Sequence, residues 1–283
     1  RTQANLRKVL ENVKKARLQA SVSQLCDLNT LLGDETEGDA LPFHIYNFNP
    51  EEVATQIVYI NADLYKKLRI TELLDLRYQK DESFAVSLNK IHAFSNKIYS
   101  LVPTTILQSD DIELQRISLK RWISVAEYLY QLRDYNSAVQ VINGITATAV
   151  SRLPHLNREL SVKWSERLEK LEDEFAPDSN FVKYRKLPMD SPCIPFVGVA
   201  LKDLVYAYEG NPNRVDNGAI NFTKMRIITQ IILSLTETDY SSLQFNPQVA
   251  QALLNASPMD QNALHSRSIA ISESIAAQAK ECE

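Results

Sequence analysis

Glycine is scarce in this chain, 6 residues among 283, and that scarcity narrows the fold before any motif is read. Tight turns between strands lean on glycine, and few stretches alternate apolar with polar residues as half-buried strands do. Long stretches instead repeat apolar residues at the helical period, so the expected fold class is all-α. Cysteine is equally rare. Cys26, Cys193 and Cys282 are odd in number and far apart, which points to a reducing compartment rather than a disulfide scaffold. No run of about 18 apolar residues occurs, so no membrane-spanning helix is expected. The chain opens at Arg1 without a signal-peptide pattern and is expected to be a fragment of something longer.

Other absences exclude chemistries. His44, His92, His155 and His265 are scattered, none near a cysteine at ligand spacing, so no zinc or other metal site is expected. The phosphate-cradling patterns G-x-x-x-x-G-K-[ST] and G-x-G-x-x-G are missing, as is the nucleophile elbow G-x-S-x-G. The chain is therefore expected to bind no nucleotide or other cofactor itself. Its carboxylates fall on amphipathic stretches, where they read as solvated faces rather than acid/base pairs. A formal net charge of −4 argues against non-specific nucleic-acid binding.

What is present is a soluble globular composition, 45% hydrophobic and 23% charged, in a chain long enough for one large or two ordinary domains. Leu6, Val9, Leu10, Val13, Leu18, Val22, Leu25 and Leu28 outline one apolar stripe over residues 4–32, read as a helix with a solvated face in preference to a membrane-surface or partner helix. Gly33 to Asp39 is an acidic linker. Asn49 is a good N-cap, with Pro50 at N1 and Glu52 at N3 as in a capping box. A helix from Ser87 is expected to end at Pro103. Asp110 and Asp111 favour the start of a central buried helix carrying Ile117, Trp122, Val125 and Leu129. Asn136 and Ser137 read as the cap of the next helix. Ser161 to Ala176 is a charged helix broken by Pro177, Asp178 and Ser179, and Asn180 to Leu187 starts a new helical turn. MRIITQIILSL, after Lys224, is apolar enough for a buried helix. Val249 to Leu254 adds a turn or two, and 257–283 is a docked helix or a frayed tail. No fixed-period repeat appears.

The rest of the chain is organised around Ser191 to Lys224. Pro192 and Pro195 fix an extended entry, Val199 to Glu209 turns helical, and Gly210, Asn211 and Pro212 stop it, with glycine expected in the left-handed position. Val205 and Glu209 are four residues apart, so one helical face presents an apolar group beside a charge. Read alone, that pair is a surface helix end with Val205 in the core and Glu209 solvated.

The strings PCIPFVGVALKDL, EGNP and INFTK resemble the catalytic domain of Ras-family guanine-nucleotide exchange factors of the Son-of-sevenless type. FNPEEVATQIVYINADLYKKL, QRISLKRWISVAEYLYQL and an N-aromatic-x-x-Y-R string at Asn180, Phe181, Tyr184 and Arg185 extend the resemblance from about 48 to about 254. The resemblance implies a single large orthogonal helical bundle with a protruding helical hairpin. It divides the chain into an N-terminal helical extension and acidic linker (1–40), the exchange domain (41–256) and a C-terminal helix or tail (257–283). It implies an exchange catalyst without covalent chemistry. The Val205 position would occupy the magnesium site of a Ras-like small GTPase, of the Ras or Rap branch, and Glu209 would bond the phosphate-loop side chain released from phosphate and metal. Phe181, Phe196 and Asn96 become candidates for the second-switch pocket, Lys202 and Asn211 for contacts beside the hairpin. Asn96 reads equally as a surface residue, Phe181 as core, and Cys193 as packed rather than reactive. A monomer in the cytoplasm, acting where the lipid-anchored GTPase sits, is implied.

The sequence departs from the family pattern in three places. Val205 is smaller than the expected leucine, Thr55 replaces an arginine of some members, and Lys202 puts a positive charge on the rod. These bear on GTPase choice and catalytic strength, and they leave a second reading open: a helical scaffold that binds a small GTPase with weak or no exchange.

Overall fold

The computed structural model describes residues 43–157 and 160–281. The N-terminal stripe and the acidic linker fall outside them. Among the described residues there are helices and turns but no strand, so the all-α expectation holds. No helix among them is long and apolar enough to cross a membrane.

Helix α1 spans Pro50–Lys66, and the Asn49 side chain accepts the Glu51 N–H at 3.0 Å. Glu52 does not reach back to complete a capping box. Its carboxylate accepts from Asn246 Nδ2, whose Oδ1 caps the Pro247–Asn255 helix, so the starts of two distant helices are tied together.

Helix α2, Val86–Leu107, runs through Pro103 rather than ending there. An internal proline costs about 3 kcal/mol, but the turn that follows buries Ile106 and Leu107 completely, each side chain contributing about 1.5–3 kcal/mol. Burial outweighs the lost bond. The Tyr99 carbonyl that Pro103 leaves without its helical donor faces Gly144, where a Cβ would stand 2.7 Å from it.

Helix α3, Ile112–Gln131, starts at Asp111, whose carboxylate accepts the Glu113 N–H at 2.8 Å. Trp122, Val125 and Leu129 are fully buried, whereas Ile117 is 39% exposed and does not belong to the core. Trp122 Nε1 donates to Thr105 Oγ1 at 2.7 Å, so its one polar atom is satisfied. Helix α4, Tyr135–Ile145, is capped by Asp134, which accepts the Ser137 N–H at 2.9 Å. The cap lies upstream of the expected Asn136–Ser137 because Asn136 turns inward, donating to Ser95 Oγ at 2.9 Å. Helix α4 packs against both α2 and α3, and α1 packs against α3.

Helix α5, Val162–Glu174, lies within the expected 161–176, with Ser161 and Phe175 as its caps. The following segment opens with left-handed Ser179, Asn180 and Phe181, with φ of 49°, 59° and 60°, and then makes one short 3-10 helical turn, Tyr184–Lys186, within the expected 180–187. Helices α6, Val197–Glu209, and α7, Phe222–Thr236, then form a hairpin. Helix α7 buries Lys224, Ile228, Ile232 and Leu235 but leaves Phe222, Met225 and Leu233 exposed. It is a half-covered element, not the buried helix its composition suggested.

Helix α8 is Pro247–Asn255 and α9 is Gln261–Glu281. Helix α9 is docked: Leu264, Ser268 and Ile271 are buried, and Arg267 Nε donates to the Leu107 carbonyl at the end of α2 at 2.8 Å.

Candidate functional site

The arm that delivers α6 is hung on side chains from the core. Ile194 runs beside Asp134: its N–H donates to the Arg133 carbonyl at 2.9 Å, and its carbonyl accepts the Tyr135 N–H at 3.0 Å. Tyr135 Oη donates to the Pro188 carbonyl and Tyr65 Oη to the Pro195 carbonyl, both at 3.1 Å. The Ser191–Pro192 peptide is cis. Phe196, the residue before α6, has no capping side chain, and a buried helix start leaves unsatisfied N–H groups. Neighbours supply the acceptors: Tyr184 Oη takes the Phe196 N–H at 2.9 Å, and Asn136 Oδ1 takes the Val197 N–H at 3.3 Å.

Phe181 and Phe196 come together. Their rings pack edge to face at 6.0 Å, with Tyr184 within 6.5 Å of Phe181 and 6.4 Å of Phe196. Both phenylalanines are half-buried. Phe181 thus packs on the core and keeps a face open. Asn96 is exposed on α2, next to Ser95, which faces Asn136, and no side-chain bond joins it to the aromatic cluster among the described residues. Cys193 is buried, with its sulfur 3.9 Å from Met189 Sδ. Burial pushes its thiol up to about 12, which makes it a packing group.

Along α6 the core side is Val197, Val199, Ala200, Leu204 and Ala207. Val205 is half-buried and Glu209 is exposed in the last turn. A carboxylate there faces the negative end of the helix dipole. Lys202 Nζ is engaged within the chain, donating to Asn180 Oδ1 at 3.0 Å. Asn211 Nδ2 donates to the Ala207 carbonyl at 3.2 Å, which closes the helix end. Gly210 has φ −77°, so it is not the left-handed terminator expected. The left-handed glycine is Gly218, at φ 81° in the connecting loop. Thr55 bonds its own helix, donating to the Glu51 carbonyl at 2.8 Å.

The residue that makes the hairpin a unit is Lys224, 3% exposed. Its Nζ donates to the Tyr208 and Asn211 carbonyls at 2.7 Å and to Asn213 Oδ1 at 2.8 Å. A buried ammonium needs partners, and here they are one orphan carbonyl in the last turn of α6, at Tyr208, and two oxygens of the loop that follows it. The signal was present in the sequence: Lys224 shares the helical phase of Ile228, Ile232 and Leu235.

Comparison with known proteins resolves the relationship. The RasGEF domain description matches residues 52–226. The chain belongs to the RasGEF domain family. It is 34% identical over 217 residues to Ras guanine nucleotide exchange factor K of Dictyostelium discoideum, covering 75% of this chain and 14% of that protein. It is 28% identical over 227 residues to Ras-specific guanine nucleotide-releasing factor 1 of Mus musculus, covering 78% of this chain and 18% of that protein. The chain therefore spans less than a fifth of the length of these relatives. The RasGEF match is shorter than the 48–254 read from sequence, stopping inside α7, but it holds the arm, all of α6 and Lys224.

Proposed function

We propose that this RasGEF domain accelerates GDP release from a Ras-like small GTPase, of the Ras or Rap branch, by inserting its α6–α7 hairpin into the nucleotide and Mg²⁺ site. The observation that carries the reading is the pairing, on one face of a side-chain-locked α6, of half-buried Val205 with exposed Glu209 at the helix end.

A GTPase holds its nucleotide through phosphate contacts and Mg²⁺. Val205 would displace the metal without offering it a ligand. Glu209 would supply the anion that the phosphate-loop lysine loses, the exchange of one charged partner for another. The hairpin then binds the empty state better than the loaded one, and only such differential affinity shifts the equilibrium. Each tenfold acceleration needs about 1.4 kcal/mol, and docking of the second switch on Phe181 and Phe196 would hold the hairpin in place. No covalent bond is made or broken.

The test is release of a fluorescent GDP analogue from Ras, Rap, Ral, Rho and Rab proteins, with the wild-type chain beside Glu209→Ala. Acceleration for a Ras-branch member, reduced at least about tenfold by the substitution, supports exchange and names the substrate. Binding to nucleotide-free GTPase without acceleration would establish the scaffold reading, for which the small Val205 side chain gives a reason.

A further inference from the structure

We propose that Arg185 is a positioning residue for α6: its guanidinium fork sets the angle of the helix, and hence the placement of Val205 and Glu209, by joining Asp203 to the left-handed turn at 179–181. The functional half of this inference rests on the exchange reading above.

The bonds are directional and converge on one residue pair. Arg185 Nη1 and Nη2 donate to the two Asp203 oxygens, each at 2.7 Å, while Nε donates to the Asn180 carbonyl at 2.8 Å. Lys202, the neighbour of Asp203, binds the Asn180 side chain. Two consecutive residues of α6 therefore grip one left-handed turn. Five residues on, Tyr208 Oη accepts the Asp75 N–H at 2.9 Å, and Asp75 and Leu76 are themselves left-handed, with φ of 55° and 52°. Non-glycine residues avoid this conformation unless their surroundings hold them there. Two such turns thus restrain α6 on either side of Val205.

The fork itself forms part of the wall of a solvent-open pocket of about 200 Å³, together with Tyr184, Met189, Cys193, Ala200 and Ile231. At 34% and 29% exposure, the pair would add little to stability as a simple surface ion pair. Its bidentate geometry is what resists rotation. The same turn carries Phe181, so the fork links the aromatic cluster to the hairpin.

The decisive variant is Arg185→Lys, which keeps the charge and loses the fork, with Asp203→Asn as its partner from the other side. Release of the fluorescent GDP analogue, with chain and GTPase concentrations varied to separate kcat from KM, is expected to show kcat down about tenfold and KM within about twofold in both. Backbone hydrogen exchange, measured without any GTPase, is expected to speed up at α6 amides and stay unchanged at α3 amides. A lysine variant with wild-type α6 exchange would overturn the positioning role whatever the exchange activity. Altered α6 amides with an unchanged kcat, or a loss confined to KM, would overturn its functional half. A wild-type chain that releases no nucleotide would sink the exchange reading itself, while the hydrogen-exchange arm would still judge the fork.

Discussion

The α3–α4 pair and the α6–α7 hairpin are both two consecutive helices, the first joined by a tight connection and the second by the 210–221 loop, yet they are held by different means. In the first, Trp122, Ile123, Val125, Leu129, Ala138 and Val141 have no exposed surface, and the polar groups among them are paired. In the second, Tyr206 is 58% and Phe222 73% exposed, and the hairpin owes its shape to Lys224, Arg185 and Tyr208. Buried area is insensitive to direction and large. Hydrogen bonds contribute less in total but fix orientation. The hairpin buries one face, at Leu204, Ala207, Ile228, Ile232 and Leu235, and its orientation is set in addition by directional bonds.

That contrast can be broken at its strong end first. Trp122→Ala is expected to lower unfolding free energy by about 3–5 kcal/mol in urea denaturation, through the cavity and the lost bond from Trp122 Nε1 to the Thr105 hydroxyl. A loss below 1 kcal/mol would mean that the α3 core is far less close-packed than its burial indicates.

The joint between the two regions is Asp134, which caps α4 and runs beside Ile194. Burial pushes its carboxyl up to about 6, against the lowering pull of the Ser137 N–H, the Asn61 amide and the Ser137 hydroxyl. A folded value above the unfolded one means that the protonated form is favoured by folding. Its contribution is complete below about 4 and lost as pH rises through about 6. The stability of wild type relative to Asp134→Asn should therefore rise by up to about 3 kcal/mol as pH falls from 7 to 4. Asn61 Oδ1, buried without a hydrogen-bond partner among the described residues, offers the proton an acceptor once the amide rotates. A difference that shrinks on acidification would show that the donors outweigh burial.

Within the hairpin, Lys224→Met keeps the stem and removes the ammonium. It is expected to cost about 2 kcal/mol and to speed hydrogen exchange in the 210–221 loop while α3 amides stay protected. Equal deprotection of both would show that the hairpin and core unfold as one unit. Smallest of all, Phe222→Ser should change stability by no more than about 0.5 kcal/mol, because its ring is outside the core. A larger loss would place that ring in a contact that the free chain already makes.

Much of this architecture was legible because its signals are local. Asn49 and Asp111 cap where their side-chain chemistry places them, α5 follows its own periodicity between breakers, and the all-α class follows from period and composition. The candidate site was legible as strings, which brought Val205, Glu209, Phe181 and Phe196 to notice. It was less legible as geometry: no side-chain bond joins Asn96 to the aromatic cluster among the described residues, and Lys202 is occupied by Asn180.

The sequence by itself determined which stretches coil, where most of them begin, and which residues stand one turn apart, because helix periodicity and capping are settled within a few residues. Only the tertiary structure decided that α2 passes through Pro103, that Glu52 ties down Asn246, that α7 is half bare, and that Arg185 and Lys224 hold the hairpin. Those bonds reach partners from five residues away, for Arg185, to 194 residues away, for Glu52, in contacts that capping and periodicity do not specify.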